Sequence, residues 1–223
     1  MGRPRVHDEH TATKLLAAAE QLLQEHGATA LSLRGIADRA GTSTRAVYSV
    51  FGSKEALLGA LGAHAMDLLG DRVDAIPVTE DPPFDLVEAA LVFRRFALDH
   101  PALFEVAFWR VDPNIRPLFR AEAADALTSL TRRFRAFSAA GLLGQRSMLE
   151  AELAFDCLCR GMAAAELRRL PPGVDPERLW RDAFWAQLTG STPDSNVQPA
   201  RREHAPAQGG AGCSGQGSPL GSV

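Results

Sequence analysis

Apolar residues recur at helical spacing in one block of the chain after another. Leu15, Leu16, Ala19, Leu22 and Leu23 fall at i, i+1, i+4, i+7 and i+8, one stripe on a helix, and Gly27 supplies a stop. That pattern predicts a first helix from Thr11 to His26. Ser32 stands where an N-cap belongs, ahead of LRGIADRA, whose Leu33, Ile36, Ala37 and Ala40 form a short apolar face. Gly41 can adopt positive φ and turn the chain, after which Thr42 or Ser43 can cap a third helix through TRAVYSVF. Gly52 breaks the pattern again. Ser53 can then cap KEALLGALGAHAMDLLGDRV, with Leu57, Leu58, Leu61, Ala65, Leu68 and Leu69 on one side.

The proline-rich IPVTEDPP, from Ile76 to Pro83, separates these four helices from the rest. Beyond it the spacing predicts helices over Phe84 to His100, Pro101 to about Arg110, Ile115 to Ala140, Ser147 to Leu170 and Pro176 to Leu188. No segment alternates with period two between hairpin turns, so the fold class is all-α, with about nine helices. Two short helices joined by a tight glycine turn describe a helix-turn-helix. The expected division is a helix-turn-helix domain over 1–53, with a flexible arm over 1–9, followed by an all-helical domain over 54–190. From 191 to 223 the chain is crowded with Gly, Pro, Ser and Gln and has no aromatic residue, the composition of a disordered tail.

Composition narrows this picture only a little. With 223 residues, 46% of them hydrophobic and 23% charged, the chain can bury a real core. A net charge of -3 argues against indiscriminate coating of nucleic acid but leaves room for a local basic face. Three cysteines are too few for a disulfide framework, and Cys157 and Cys159 should point away from each other on a helix. No apolar run reaches a membrane span, and the N-terminus lacks the apolar core of a signal peptide, so a cytoplasmic protein is expected. No His, Asp, Glu or Cys set has metal-ligand spacing, and no cofactor motif is present.

The stretch GTSTRAVYSVFGSKEALL holds the most specific chemistry. In a helix from Thr44 to Phe51, Val47, Val50 and Phe51 face one way and Arg45, Tyr48 and Ser49 the other. A guanidinium, a phenol and hydroxyls, with Thr44 at the start, are groups that contact phosphates and base edges. Further donors flank them: Lys54 at the start of the fourth helix, Ser32 and Arg34 at the start of the second, and Arg3 and Arg5 on the arm. The competing readings are a packing role for Tyr48, a solvated Arg34 and an unused arm.

Ala40-Gly41-x-Ser43, Val47-Tyr48-x-x-Phe51-x-Ser53-Lys54-Glu55-x-Leu57-Leu58, preceded by Ile36-Ala37 and the Leu15 to Gly27 helix, resembles the DNA-binding domain of the TetR family of bacterial transcriptional regulators. The match is continuous over roughly the first 60 residues. The resemblance implies that Ser32 and Arg34 hold DNA, that Thr44, Arg45 and Ser49 face base edges, and that Tyr48 and Lys54 grip phosphates. It further implies a homodimer on a near-palindromic double-stranded operator, released by a small-molecule effector. Val50 departs from the aromatic or histidine usual there, and Ala46 offers only a methyl, which shifts the expected sequence readout to Arg45 and Thr44.

In the second half, Phe93, Phe96, Phe104, Phe108, Trp109 and Phe119 crowd into a short stretch, with Phe134 and Phe155 further on. Such density suits the lining of an apolar effector pocket, and equally a filled core. Leu153, Leu158 and Met162 on one helix and Leu179, Trp180 and Phe184 on the next form apolar stripes that would make a four-helix bundle across a two-fold axis, or pack within one subunit. The function expected is a ligand-responsive repressor rather than an enzyme, because no Ser/His/Asp set, reactive cysteine or carboxylate pair has catalytic spacing. A DNA-binding protein without operator choice and an all-α small-molecule carrier or enzyme are the alternatives.

Overall fold

A computed structural model describes residues 6–27, 31–109 and 128–190, with the backbone alone for 6–10 and 109. Among the described residues nine α-helices and no strand occur. They are α1 (Val6–His26), α2 (Leu33–Ala40), α3 (Thr44–Phe51), α4 (Lys54–Asp74), α5 (Pro82–Asp99), α6 (Pro101–Phe104), α7 (Thr128–Ala139), α8 (Met148–Leu167) and α9 (Pro176–Thr189). A π-helical turn, Glu105–Trp109, continues α6 directly. Among the described residues the all-α expectation is met, with small shifts at helix ends; residues 115–127 of the helix expected over Ile115 to Ala140, and the tail expected over 191–223, lie outside the described residues. One boundary is corrected: α1 begins at Val6, so 6–9 are helical rather than part of an arm. Val6 to Thr11 contain neither proline nor glycine, and nothing local stops the helix short of Pro4.

Short polar side chains start most of these helices. Ser32, Ser43 and Ser53 accept backbone N–H bonds from Gly35, Ala46 and Ala56, and Asp81, Ser147 and Asp175 do the same for α5, α8 and α9. Each satisfies a donor that the first helical turn leaves unpaired. Gly41 closes α2 at φ 65°, ψ 38°, a left-handed conformation that glycine adopts without steric cost. Thus α2 and α3, eight residues each, are fixed at both ends by local chemistry.

One core runs through the molecule. Leu15, Ala19, Leu23, Leu31, Ile36 and Val47 join α1, α2 and α3. α4 continues that core with Leu57, Leu61 and Ala65, all fully buried, and then meets α5, α6 and α7. Two aromatic groups fill the larger half. Phe93, Phe96, Phe104 and Phe108 meet mostly edge to face at 5.1–6.1 Å. Phe134, Phe155, Phe184 and Trp180 form a second chain of rings at 4.9–5.6 Å joining α7, α8 and α9. No helix among the described residues is long and apolar enough to cross a membrane.

Candidate nucleic-acid interface

α3 is anchored through one side and displays the other. Val47 is fully buried, and Val50 and Phe51 pack half-buried against the same core. Arg45, Tyr48 and Ser49 are exposed, Tyr48 by 54%, with Thr44 half-buried at the helix start. Consecutive residues therefore live in opposite environments, as a period of 3.6 dictates for a helix with one apolar face. An exposed phenol between an arginine and a serine offers donors to a polar partner, and no contact among the described residues consumes it.

The flanking groups sit as the sequence suggests. Arg34 and Lys54 are exposed at the first turns of α2 and α4, whose free N–H groups and dipoles favour an anion there. The Ser32 oxygen is occupied as the α2 cap, 3.1 Å from the Gly35 nitrogen, yet its hydroxyl proton remains free to donate. Asp38 and Glu55 are also exposed nearby, so the face is mixed rather than strongly basic. Arg3 and Arg5 lie outside the described residues.

A pairing missed by sequence reasoning fixes the head internally. Arg39 at the end of α2 donates to both carboxylate oxygens of Glu25 near the end of α1, at 2.7 Å for Nη1. That contact holds the Glu25 carboxyl below its usual range and raises the Arg39 guanidinium. Arg39 is thereby committed to α1, whereas Arg34 and Arg45 point outward.

In the larger half, six of the aromatic residues proposed from sequence for a pocket are packed against one another. Phe93, Phe96, Phe104, Phe108, Phe134 and Phe155 are at most 6% exposed. The structure makes them core rings. Phe119 and the Trp109 side chain lie outside the described residues. Two buried charges stand out in this half. Asp85 accepts from the Thr79 backbone N–H and hydroxyl, while Arg133 donates to the carbonyls of Ser129 and Ile76 and leaves Nε without a partner among the described residues. Burial lowers the Arg133 pKa, with Asp85 and Asp74 opposing. Arg133 continues the apolar stripe Leu130, Phe134, Phe137, a signal the sequence carried.

Of the interface residues proposed from sequence, Trp180 and Phe184 are corrected. They are stacked at 5.6 Å and fully buried inside the subunit, because α9 packs that side onto α5 and α8. Leu158 and Met162 are half-buried against the core. Leu149, Leu153 and Leu179 do face outward, joined by Trp185, which the sequence reading did not single out as an interface residue. Cys157 is exposed and Cys159 buried, pointing apart as their spacing requires.

Comparison with known proteins agrees with this layout. Residues 15–61 match the family described as "Bacterial regulatory proteins, tetR family", and 86–189 match "Tetracyclin repressor-like, C-terminal domain". An HTH-type transcriptional regulator of Mycobacterium tuberculosis is 31% identical over 185 residues, covering 82% of this chain and 70% of the relative. An HTH-type transcriptional repressor of the same species is 35% identical over 83 residues, 37% of this chain and 42% of the relative. A crystal structure of a tetR-family regulatory protein from Rhodococcus RHA1 superposes with a TM-score of 0.61 at 21% identity, over 82% of this chain and 97% of that one.

Proposed function

Because the chain belongs to the TetR family of DNA-binding transcriptional regulators, we propose that it is a repressor that binds a near-palindromic operator as a homodimer and releases it on binding a small, mainly apolar effector. The observation that carries this reading is α3 itself. It is capped by Ser43, held through Val47, and offers Thr44, Arg45, Tyr48 and Ser49 outward. A short, rigid helix of this kind fits a major groove, where a guanidinium can read a guanine edge in bidentate fashion. In this reading Arg45, Thr44 and Ser49 meet base edges, while Tyr48, Ser32, Arg34 and Lys54, with Arg3 and Arg5, hold phosphates.

The dimer face is the exposed apolar surface of α8 and α9. Leu149 and Leu153 are one turn apart on α8, 72% and 58% exposed, and Leu179 and Trp185 add to it from α9. Two copies of this face would form a four-helix bundle and set the separation of the two α3 helices, which operator binding requires to be about 34–36 Å. An effector that binds better when α4 is displaced must, by linkage, weaken operator affinity.

A selection of binding sites from random duplexes, repeated with Arg45→Ala and over a salt series, tests the reading. Enrichment of a palindrome whose half-site preference relaxes with Arg45→Ala is the expected result. Binding that rises as salt falls but shows no sequence preference would overturn operator choice and leave a non-specific clamp.

A further inference from the structure

Glu20 and His100 are 80 positions apart in sequence and in contact in the fold. Glu20 lies on α1, which carries the DNA-reading head; His100 closes α5 and precedes α6, in the other half. His100 Nδ1 lies 2.7 Å from Glu20 Oε1, and His100 Nε2 lies 3.0 Å from Arg72 Nη2 on α4. Both side chains of the Glu20–His100 pair are sheltered, 15% and 21% exposed. Arg72 is itself held by Asp99, 2.8 Å away at the end of α5.

The chemistry of the partners fixes the imidazole. A guanidinium has no lone pair to offer, so Nε2 must accept from Arg72. The ring proton then resides on Nδ1 and donates to the Glu20 carboxylate. In this neutral tautomer each of the three groups has a complementary partner, and one small ring ties α1 to α4 and α5 together. Behind it, the Phe96 ring lies 5.4 Å from the imidazole and 6.0 Å from Phe108, with the Arg72 guanidinium over its face. The first aromatic group of the larger half is thus in van der Waals continuity with the clasp.

We propose that His100 is a positioning residue for operator binding: through its Nδ1–H bond to Glu20 it holds the α1–α3 head at a set angle to α4–α6, and so sets the separation of the two heads in a dimer. This rests on the reading of the chain as a dimeric operator-binding protein. The physical reason is that engaging a second half-site is an intramolecular event, whose advantage depends on the second head already standing in the right place. Releasing α1 adds orientational freedom that double engagement must remove, while a single head reads its half-site as before. Displacement of Phe96 by an occupant of the aromatic group would move the same ring.

The experiment compares full-length protein with Glu20→Ala, His100→Gln, His100→Asn and the double variant Glu20→Ala/His100→Gln, on the whole operator and on a duplex bearing one half-site. Asparagine places an amide N–H near the Nδ1 position and can keep the Glu20 bond; glutamine reaches the Nε2 position and keeps only the Arg72 side. Glu20→Ala and His100→Gln are each expected to weaken whole-operator binding about tenfold, as loss of one hydrogen bond to a charged group would. The double variant should be no weaker than either single one, His100→Asn should stay within about twofold of wild type, and half-site affinity should not change. Equal losses on both duplexes would overturn the proposal by locating the damage in the reading head, and so would a His100→Asn variant as weak as His100→Gln or single variants that bind like wild type. Wild-type protein with no operator preference would instead sink the functional reading beneath it.

Discussion

Arg94 on α5 donates from Nε and Nη2 to both carboxylate oxygens of Glu166 on α8, at 2.6–3.1 Å, with side chains only 16% and 10% exposed. The Trp180 indole N–H of α9 reaches the same carboxylate at 3.0 Å. One acceptor therefore joins three helices, and the contact raises the Arg94 pKa.

Removing either partner leaves the other charge sheltered and unpaired, which typically costs about 3–5 kcal/mol. Glu166→Ala is expected to be the more damaging, since it also strands the Trp180 N–H. The double variant Arg94→Met/Glu166→Leu, which leaves no orphaned charge, should recover much of the loss. Urea unfolding of the four proteins checks this; a double variant as unstable as the sum of the singles would show that the pair is not acting as a unit.

Phe155 is 3% exposed between Phe134 and Phe184, with ring centroids at 5.4 and 4.9 Å. Truncating a core aromatic of this kind costs about 3–5 kcal/mol through lost burial and the cavity left behind. Phe155→Ala should therefore lower the thermal midpoint by many degrees and create a space that a small apolar solute such as benzene can partly refill. A variant of unchanged stability would return Phe155 to the role of pocket lining.

The local parts of this fold were legible because local chemistry determines them. Ser32, Ser43 and Ser53 mark helix starts, and the alternation of Val47 with Tyr48 marks the buried and exposed sides of α3. A stripe says only that something covers it. The stripe of Trp180 and Phe184 reads from sequence as either an interface or a core, because an apolar face looks the same whether its partner is another subunit or α5. Glu20 with His100, and Arg94 with Glu166, could not be paired in advance, since their proximity depends on how whole helices cross. Asp85 and Arg133 could have been noticed as charges standing within apolar stripes.

Acid should loosen the start of α8 through Glu150. The Ser147 backbone N–H and hydroxyl both donate to its carboxylate at 2.7 Å, completing a capping box and holding its pKa below the usual 4.5. A depressed folded-state pKa contributes stability above the unfolded value, and that contribution is lost as pH falls through the folded one. Glu150→Gln should thus differ most from wild type at neutral pH and converge with it as pH falls through the depressed folded-state value. Unfolding curves recorded stepwise from pH 7 into acid whose separation never narrows would exclude the carboxylate as the cause.

Leu153 is the residue through which the proposed homodimer is most directly tested. It is 58% exposed, with Leu149 one turn before it and exposed Cys157 one turn after, so its side chain contributes little to the subunit's own core. A glutamate there should leave subunit stability within about 0.5 kcal/mol, as for other surface changes. In a two-fold interface the same change occurs twice and brings two carboxylates together in an apolar setting, where neither has a partner. Leu153→Glu is expected to run as a monomer by light scattering at micromolar concentration, and to lose whole-operator affinity while keeping half-site binding. A variant that remains dimeric would move the interface off this face of α8.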